Sequence, residues 1–352
     1  MTEIPVLGLL FQFIGFLIDQ SQPIANAAVA VSIPIALAGL CGVISERSGV
    51  VNIGIEGIML TAAFVAWITG VVAVAVLGPG EPTAIFGITL PLLLAVAAGM
   101  LSGMILAALH AWLSISVRAD QIISGVIINI AAFGMTGYLN TIISKQSPSG
   151  AGGFNDLNVP ASFTDLPVVG WLINAIFDQG PLALAGIALI IIVQVLLFRT
   201  RWGLRTRAVG EHPRAAETVG INVIRLRYRN VILSGAIAAL GGAYLSLELT
   251  TSFQAGMTNG RGFIGLAAMI VGRWTPLGAL GAALLFASST AIGRSITFAA
   301  PNNDVGRFLE SIPPQFYDAL PYLVTIIILA GVIGRSVPPA ADGQPYQRES
   351  AG

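Results

Sequence analysis

The sequence predicts an all-α polytopic membrane protein with about 10 transmembrane segments, on three observations. Charged residues make up only 10% of the chain and apolar residues 55%, whereas a soluble domain holds roughly a quarter charged residues. Mean hydropathy is +0.84. The apolar residues also come in unbroken runs, many of them near the roughly 20 residues that a helix needs to cross a bilayer core. So sparse a charge cannot build a water-facing surface, but it suits a lipid-facing one.

In chain order the runs fall at about 4–19, 24–44, 53–77, 88–114, 121–143, 180–198, 230–250, 262–272, 276–293 and 318–334. The first is short for a span and also fits the membrane interface. The eighth is too short to cross alone and runs through Arg273-Trp274-Thr275 into Pro276, which reads as a break. The stretch 262–293 is therefore expected to be a discontinuous helix pair, tolerated at membrane depth only where it faces protein or a water-filled cavity.

Arginine placement assigns the sides. Arg199, Arg201, Arg205, Arg207, Arg214, Arg225, Arg227 and Arg229 crowd the segment 199–229, whereas 144–179 carries only Lys145 among Asp156, Asp165 and Asp178. With 199–229 in the cytoplasm, both termini fall inside and only Lys145, Arg261, Arg294 and Arg307 remain outside. The Gly- and Pro-rich loop 144–179 reads as irregular and external. Residues 1–335 are expected to form the transmembrane domain, and 336–352, rich in Pro, Ala and Gly, a disordered cytoplasmic tail. Met1-Thr2-Glu3 lacks the positive start of a cleavable signal peptide, so targeting is expected through the first membrane helix.

Other classes are disfavoured. Net charge is zero, so nothing suggests a nucleic acid or a polyacidic partner. Cys41 is the only cysteine, so no disulfide framework exists, and His110 and His212 fall in different segments, leaving no cluster with metal-ligand spacing. There is no G-x-S-x-G nucleophile elbow. Lys145, the only lysine, lies in Ser144-Lys145-Gln146, so the chain has no phosphate-binding P-loop. If ATP drives this protein, another subunit binds it. No cofactor is expected.

Four stretches could carry function. In 206–222, Pro213 suits the first position of a two-turn helix and Gly220 the position after its end, with Gly210, Glu211, Arg214, Ala215 and Ala216 between or beside them. Such a helix is marginal alone and would gain from docking on a partner, though an ordinary basic loop fits as well. In Ser45–Met59, Glu56 lies just inside an apolar run beside Asn52, Gly54 and Gly57. A carboxylate there is costly enough to suggest function, unless it sits at the interface with Arg47 or water. Gln121, Gly125 and Asn129 share one helical face, with Ser124 beside them. These amides either bond a neighbouring helix or line a polar path. The fourth stretch, Asn259–Ile264 followed by Gly272–Gly278 with Trp274, fits either a gate between half-helices or tight packing of small residues. His110 and Glu248 lie near segment ends and read as interfacial.

These same stretches resemble one family. Glu46-Arg47-Ser48-Gly49-Val50-Val51-Asn52-Ile53-Gly54-Ile55-Glu56-Gly57 is similar to the signature of nucleoside-type ABC importer permeases, within the group that includes simple-sugar and branched-chain amino-acid permeases. Gln121-Ile122-Ile123-Ser124-Gly125 with Asn129, Gly260–Ile264 with Gly272–Gly278, Ala208–Glu211 with Ala215, Ala216 and Gly220-Ile221, and Leu320–Leu323 through Ser336 resemble further family stretches in the same order. Arg273 stands where relatives are expected to carry Lys.

The resemblance implies a type II importer permease. It implies a second, related permease chain, two cytoplasmic ATP-binding subunits and an extracytoplasmic solute-binding protein as partners. The implied cargo is a nucleoside, with simple sugars or riboflavin-type compounds as alternatives. Asn52, Glu56, Gln121, Ser124, Asn129 and Trp274 would then line the solute pathway, and Gly210 to Gly220 would form the coupling helix to the ATPase. A self-sufficient secondary transporter is the rival from another class.

Overall fold

The computed structural model describes residues 6–144, 152–164, 169–301, 303–327 and 336–347, and among them helices are the only regular structure. They are α1 (Val6–Asp19), α2 (Ser21–Glu46), α3 (Ile55–Leu77), α4 (Leu90–Ala111), α5 (Gln121–Ser144), α6 (Ala161–Thr164), α7 (Val169–Phe177), α8 (Pro181–Arg199), α9 (Arg201–Glu211), α10 (Pro213–Thr218), α11 (Val223–Tyr244), α12 (Arg261–Val271), α13 (Pro276–Ala299), α14 (Asp304–Glu310) and α15 (Pro314–Ile327).

Seven of these, α2 to α5, α8, α11 and α13, are long and apolar enough to cross a membrane, with α4 and α11 extended by single π-helical segments. The protein is a multi-pass membrane protein. Of the ten runs marked in the sequence, the first and eighth correspond to the shorter helices α1 and α12, and the tenth to α15, beyond which 328–335 lies outside the described residues. The loop expected to be irregular over 144–179 contains α6 and α7.

Helix starts follow local chemistry. Asp120 Oδ1 accepts the backbone N–H groups of Ile122 and Ile123 at 2.8 and 3.0 Å, and Asn222 Oδ1 accepts that of Arg225 at 2.9 Å. Glu248, read from sequence as interfacial, instead caps α8: its two carboxylate oxygens accept the Leu182 and Ala183 N–H groups at 2.7 and 3.0 Å. A carboxylate is favoured there because the first turn of a helix leaves its N–H groups unpaired at the positive end of the dipole.

The helices form two units. The smaller comprises residues 1–32, 157–179 and 284–334, with a core of Phe16, Ile296, Val305, Leu309 and Tyr317. Its Gln22, Asn26 and Asn174 amides bond one another. The larger comprises 33–156, 180–283 and 335–352. Its centre is the packing of α3, α4 and α11. Gly103 of α4 faces Gly235 and Ala239 of α11, and a Cβ on Gly235 would run into Ala107 and the Gly103 carbonyl. Small residues one turn apart let these backbones meet where lipid supplies no hydrophobic drive between helices.

α5 shows the inverted pattern of a lipid-facing helix. Ile122, Ile123, Val126, Ile127, Ile130 and Phe133 are exposed, whereas Gln121, Ser124, Gly125, Ile128, Ala132 and Thr136 are buried. The polar groups that could not face lipid thus point into protein.

Candidate functional site

α2 ends at Glu46 and α3 begins at Ile55, so the backbone of 47–54 must find hydrogen bonds outside a helix. The stretch supplies some itself: Ser45 Oγ donates to the Val50 carbonyl at 2.6 Å, and Asn52 Oδ1 accepts the Gly54 N–H at 3.0 Å. Neighbouring helices supply others. Gln121 Oε1 accepts the Val51 N–H at 2.8 Å. The Asn129 amide closes two bonds, its Nδ2 donating to the Ile53 carbonyl at 2.9 Å and its Oδ1 accepting the Gly57 N–H at 2.7 Å. His110 Nε2 lies 2.9 Å from the Val51 carbonyl, and its Nδ1 lies 2.7 Å from Ser124 Oγ. A carbonyl only accepts, so Nε2 carries the proton and Nδ1 accepts from the Ser124 hydroxyl. His110 is fully buried here, which corrects its interfacial reading.

This wiring gives a first prediction. Gln121→Ala leaves the Val51 N–H buried without a partner, which costs about 1–3 kcal/mol. The purified protein should lose thermal stability in detergent, and Gln121→Glu should lose less because an acceptor oxygen remains. A melting curve for Gln121→Ala that overlays that of the unaltered protein refutes the assignment.

Glu56 lies one turn further on. Its Oε1 accepts the Gly260 N–H at 2.8 Å and its Oε2 the Gly262 N–H at 2.6 Å, so it caps α12 as Glu248 caps α8. Glu56, Asn129, Phe133, Thr258, Asn259 and Phe263 border a recess of about 390 Å³. The two phenylalanines are exposed, and Asn259 holds a left-handed backbone, φ 45°. Each Glu56 oxygen accepts one backbone N–H, so each keeps acceptor capacity, and Asn129 Nδ2 keeps a second N–H. The recess thus offers hydrogen-bond acceptors, a donor and two aromatic rings.

The six residues expected along a pathway therefore separate. Glu56 and Asn129 reach the recess. Asn52, Gln121 and Ser124 are buried in the polar network behind it, and Asn52 Nδ2 has no hydrogen-bond partner. Trp274 lies elsewhere, in the Gly272–Thr275 break between α12 and α13. There Arg273 and Trp274 adopt positive φ, and the Trp274 indole donates to Glu46 Oε2 at 2.6 Å. Sequence reading missed Phe133 and Thr258, and had Asn259 and Phe263 only within the stretch Asn259–Ile264. A phenylalanine on an apolar helix carries no signal of its own, whereas Asn259-Gly260, a turn dipeptide just before α12, was legible.

The second area is α9–α10. His212 precedes Pro213, which disfavours helical geometry at His212, and the chain breaks there before α10 starts on the proline. Gly220 adopts φ 84°, and the Ile221 N–H returns to the Ala216 carbonyl at 3.1 Å, closing the helix end. Ala216 is buried with Val209, Val223, Leu226 and Tyr346. Arg214, Ala215, Thr218 and Val219 are exposed.

Tyr346 belongs to the segment expected to be disordered. Residues 336–347 instead form a strap against α9–α10. The Ala341 N–H donates to the Gly210 carbonyl at 2.8 Å, the Ala340 N–H to Glu211 Oε2 at 3.1 Å, and the Tyr346 hydroxyl to Glu217. Arg227 donates to the Gln344 carbonyl at 3.0 Å. Composition misled here because one buried tyrosine and a row of backbone bonds fix a segment that has no apolar run. A groove of about 630 Å³ separates the strap from α10.

Asp342, in the strap, contacts Glu46 and faces Arg227. Burial pushes its carboxyl up from 3.8 to about 6, against the opposing pull of its Glu46 and Gly343 hydrogen bonds and of Arg227. A raised carboxyl pKa means that docking favours the protonated acid. The strap's docking energy is therefore full below pH 3.8 and declines as pH rises through about 6. Hydrogen exchange at 340–346 should be faster at pH 7.5 than at pH 5 after correction for the intrinsic rate, and Asp342→Asn should flatten the difference. An unchanged pH dependence in Asp342→Asn would assign the effect to another group.

Comparison with known proteins follows the same residues. The family described as branched-chain amino acid transport system / permease component matches residues 24–329. The guanosine ABC transporter permease protein NupQ of Bacillus subtilis is 39% identical over 328 residues, covering 92% of this chain and 96% of that protein. The nucleoside ABC transporter permease protein NupC of Lactococcus lactis is 34% identical over 334 residues, 94% and 98% of the two chains. A putative glucose ABC transporter permease protein of Haloferax volcanii, TsgC13, is 33% identical over 338 residues, 92% and 97% of the two. No solved structure gives a significant match.

Proposed function

The chain belongs to the family of branched-chain amino acid transport system permease components, and on that premise we propose that it is the membrane subunit of an ATP-driven importer of nucleosides. The observation that carries the substrate class is the likeness to permeases named for guanosine and for nucleosides over more than nine-tenths of the chain.

The recess chemistry agrees with that cargo. A nucleoside presents a flat base and a ribose rich in hydroxyls. Phe133 and Phe263 supply ring faces for the base. Glu56 and Asn129 supply the acceptors and donor that ribose hydroxyls need. Asn52, Gln121 and Ser124 act from behind by holding the 47–57 segment in place.

α10 is the coupling helix. It is six residues long, under two turns, buried through Ala216 and exposed through Arg214 and Ala215, an arrangement that suits a knob gripped by another subunit. ATP is bound and hydrolysed on separate cytoplasmic subunits. A second, related permease chain completes the pore, and an extracytoplasmic binding protein delivers the solute. Both termini and the 199–229 segment face the cytoplasm. ATP binding moves α10 and shifts the pore between states that differ in affinity for the cargo.

The 33% identity to a putative glucose permease favours a sugar as the second reading. The test is uptake of labelled guanosine, adenosine and uridine by proteoliposomes holding the whole importer, with glucose and riboflavin as competitors. Nucleoside competition without glucose competition is expected; the reverse order would replace the cargo.

A further inference from the structure

We infer that Arg47 is the positioning residue that joins the coupling segment to the recess, acting through α12. The inference rests on the coupling reading of α9–α10 and extends it to a route.

Three contacts meet at Arg47. Gly210, next to last in α9, packs so closely on the Arg47 carbonyl that a Cβ would not fit. The Arg47 guanidinium turns the other way: its Nε donates to the Trp274 carbonyl at 3.0 Å and its Nη2 to the Arg273 carbonyl at 3.2 Å. These carbonyls belong to the two left-handed residues of the break that ends α12. The preceding residue, Glu46, holds the Trp274 indole. Two adjacent residues thus fasten both the backbone and the side chain of the break.

α12 carries the connection onward. Its C-terminal end is bonded within the break, where the Trp274 N–H returns to the Met269 carbonyl at 3.0 Å, and to the strap, where Ser336 Oγ donates to the Ile270 carbonyl at 2.8 Å. Its N-terminal end is held by Glu56 at the recess. Eleven residues of helix make a rod of about 16 Å. A shift of α9 against Arg47 therefore displaces the break, and a rod fixed at both ends moves Phe263 and the Glu56 carboxylate with it. Gly39 and Gly265 let α2 and α12 pack backbone to backbone where they cross, so a Cβ on Gly265 would run into Ala38 and the Ile35 carbonyl.

Arg47 suits the part by its chemistry. A planar guanidinium reaches two successive carbonyls at once, which an ammonium on a flexible stem does less rigidly. Burial lowers its pKa and Glu211, on α9, opposes that loss, so the charge is tied to the coupling segment as well.

The test uses the complete importer in proteoliposomes, with Phe263→Cys as reporter. Cys41 is buried and stays silent to a hydrophilic maleimide. With Arg47 present, ATP and vanadate should change the labelling rate at position 263 at least threefold. In Arg47→Ala the nucleotide response should vanish while the nucleotide-free rate stays within twofold, showing an intact recess. Arg47→Lys should restore part of the response, which a merely structural role would not predict. If Arg47→Ala fails to assemble, Gly210→Ala strains the same joint and should give the same loss. An undiminished nucleotide response in Arg47→Ala or in Gly210→Ala overturns the assignment. No response in the Arg47 reporter protein itself overturns the coupling reading along with it.

Discussion

Glu56→Ala should lower the initial rate of nucleoside uptake about 100-fold in proteoliposomes containing the whole importer. The carboxylate accepts the Gly260 and Gly262 N–H groups and borders the recess, so one substitution removes the α12 cap and the proposed cargo acceptor together. Hydrogen bonds to a charged group contribute about 1.5–3 kcal/mol each. A net loss of about 2.8 kcal/mol, a little under the summed worth of both because the recess lets water replace part of it, corresponds to the 100-fold effect. Glu56→Gln keeps one acceptor oxygen but turns an amide N–H toward a backbone N–H, so its rate should fall between the two. Uptake by Glu56→Ala at the unaltered rate would remove the recess from the transport path.

The second large effect is expected at α9–α10, the proposed coupling segment. Glu211→Ala combined with Arg214→Ala should reduce solute-stimulated ATP hydrolysis more than tenfold, with the protein still inserted and monodisperse. The two side chains act differently. Arg214 is exposed on α10. Glu211 accepts the Ala340 N–H and offsets the burial of Arg47, so its loss loosens the strap and the Arg47 joint. Each single variant should retain part of the stimulation, and measuring both singles with the double gives their coupling. Unchanged stimulation in the double variant would sink the assignment of α10.

The spans were legible because lipid imposes a strong constraint. Twenty apolar residues in a row admit few structures, and α2, α3, α5 and α8 lie close to where those runs placed them. The break at 272–275 was also legible, from Pro276 and the shortness of the run before it. Polar residues were harder. Gln121 and Asn129 were found by their shared face, but spacing cannot tell a side chain that faces a cavity from one that satisfies a neighbour's backbone. The structure has Gln121 doing the second and Asn129 doing both. His110 gave no warning of its burial, since its partners Val51 and Ser124 come from two other segments. The strap was missed because its fixed position depends on Gly210, Glu217 and Arg227, all more than a hundred residues away.

In the proposed mechanism, energy enters through α9–α10 from a separate subunit. The direct measurement is accumulation of labelled guanosine inside proteoliposomes against a concentration gradient, with the ATP-binding subunits present or omitted and no ion gradient imposed. Accumulation only when those subunits and ATP are both present is the predicted result. Uphill accumulation by this chain without them would contradict the account.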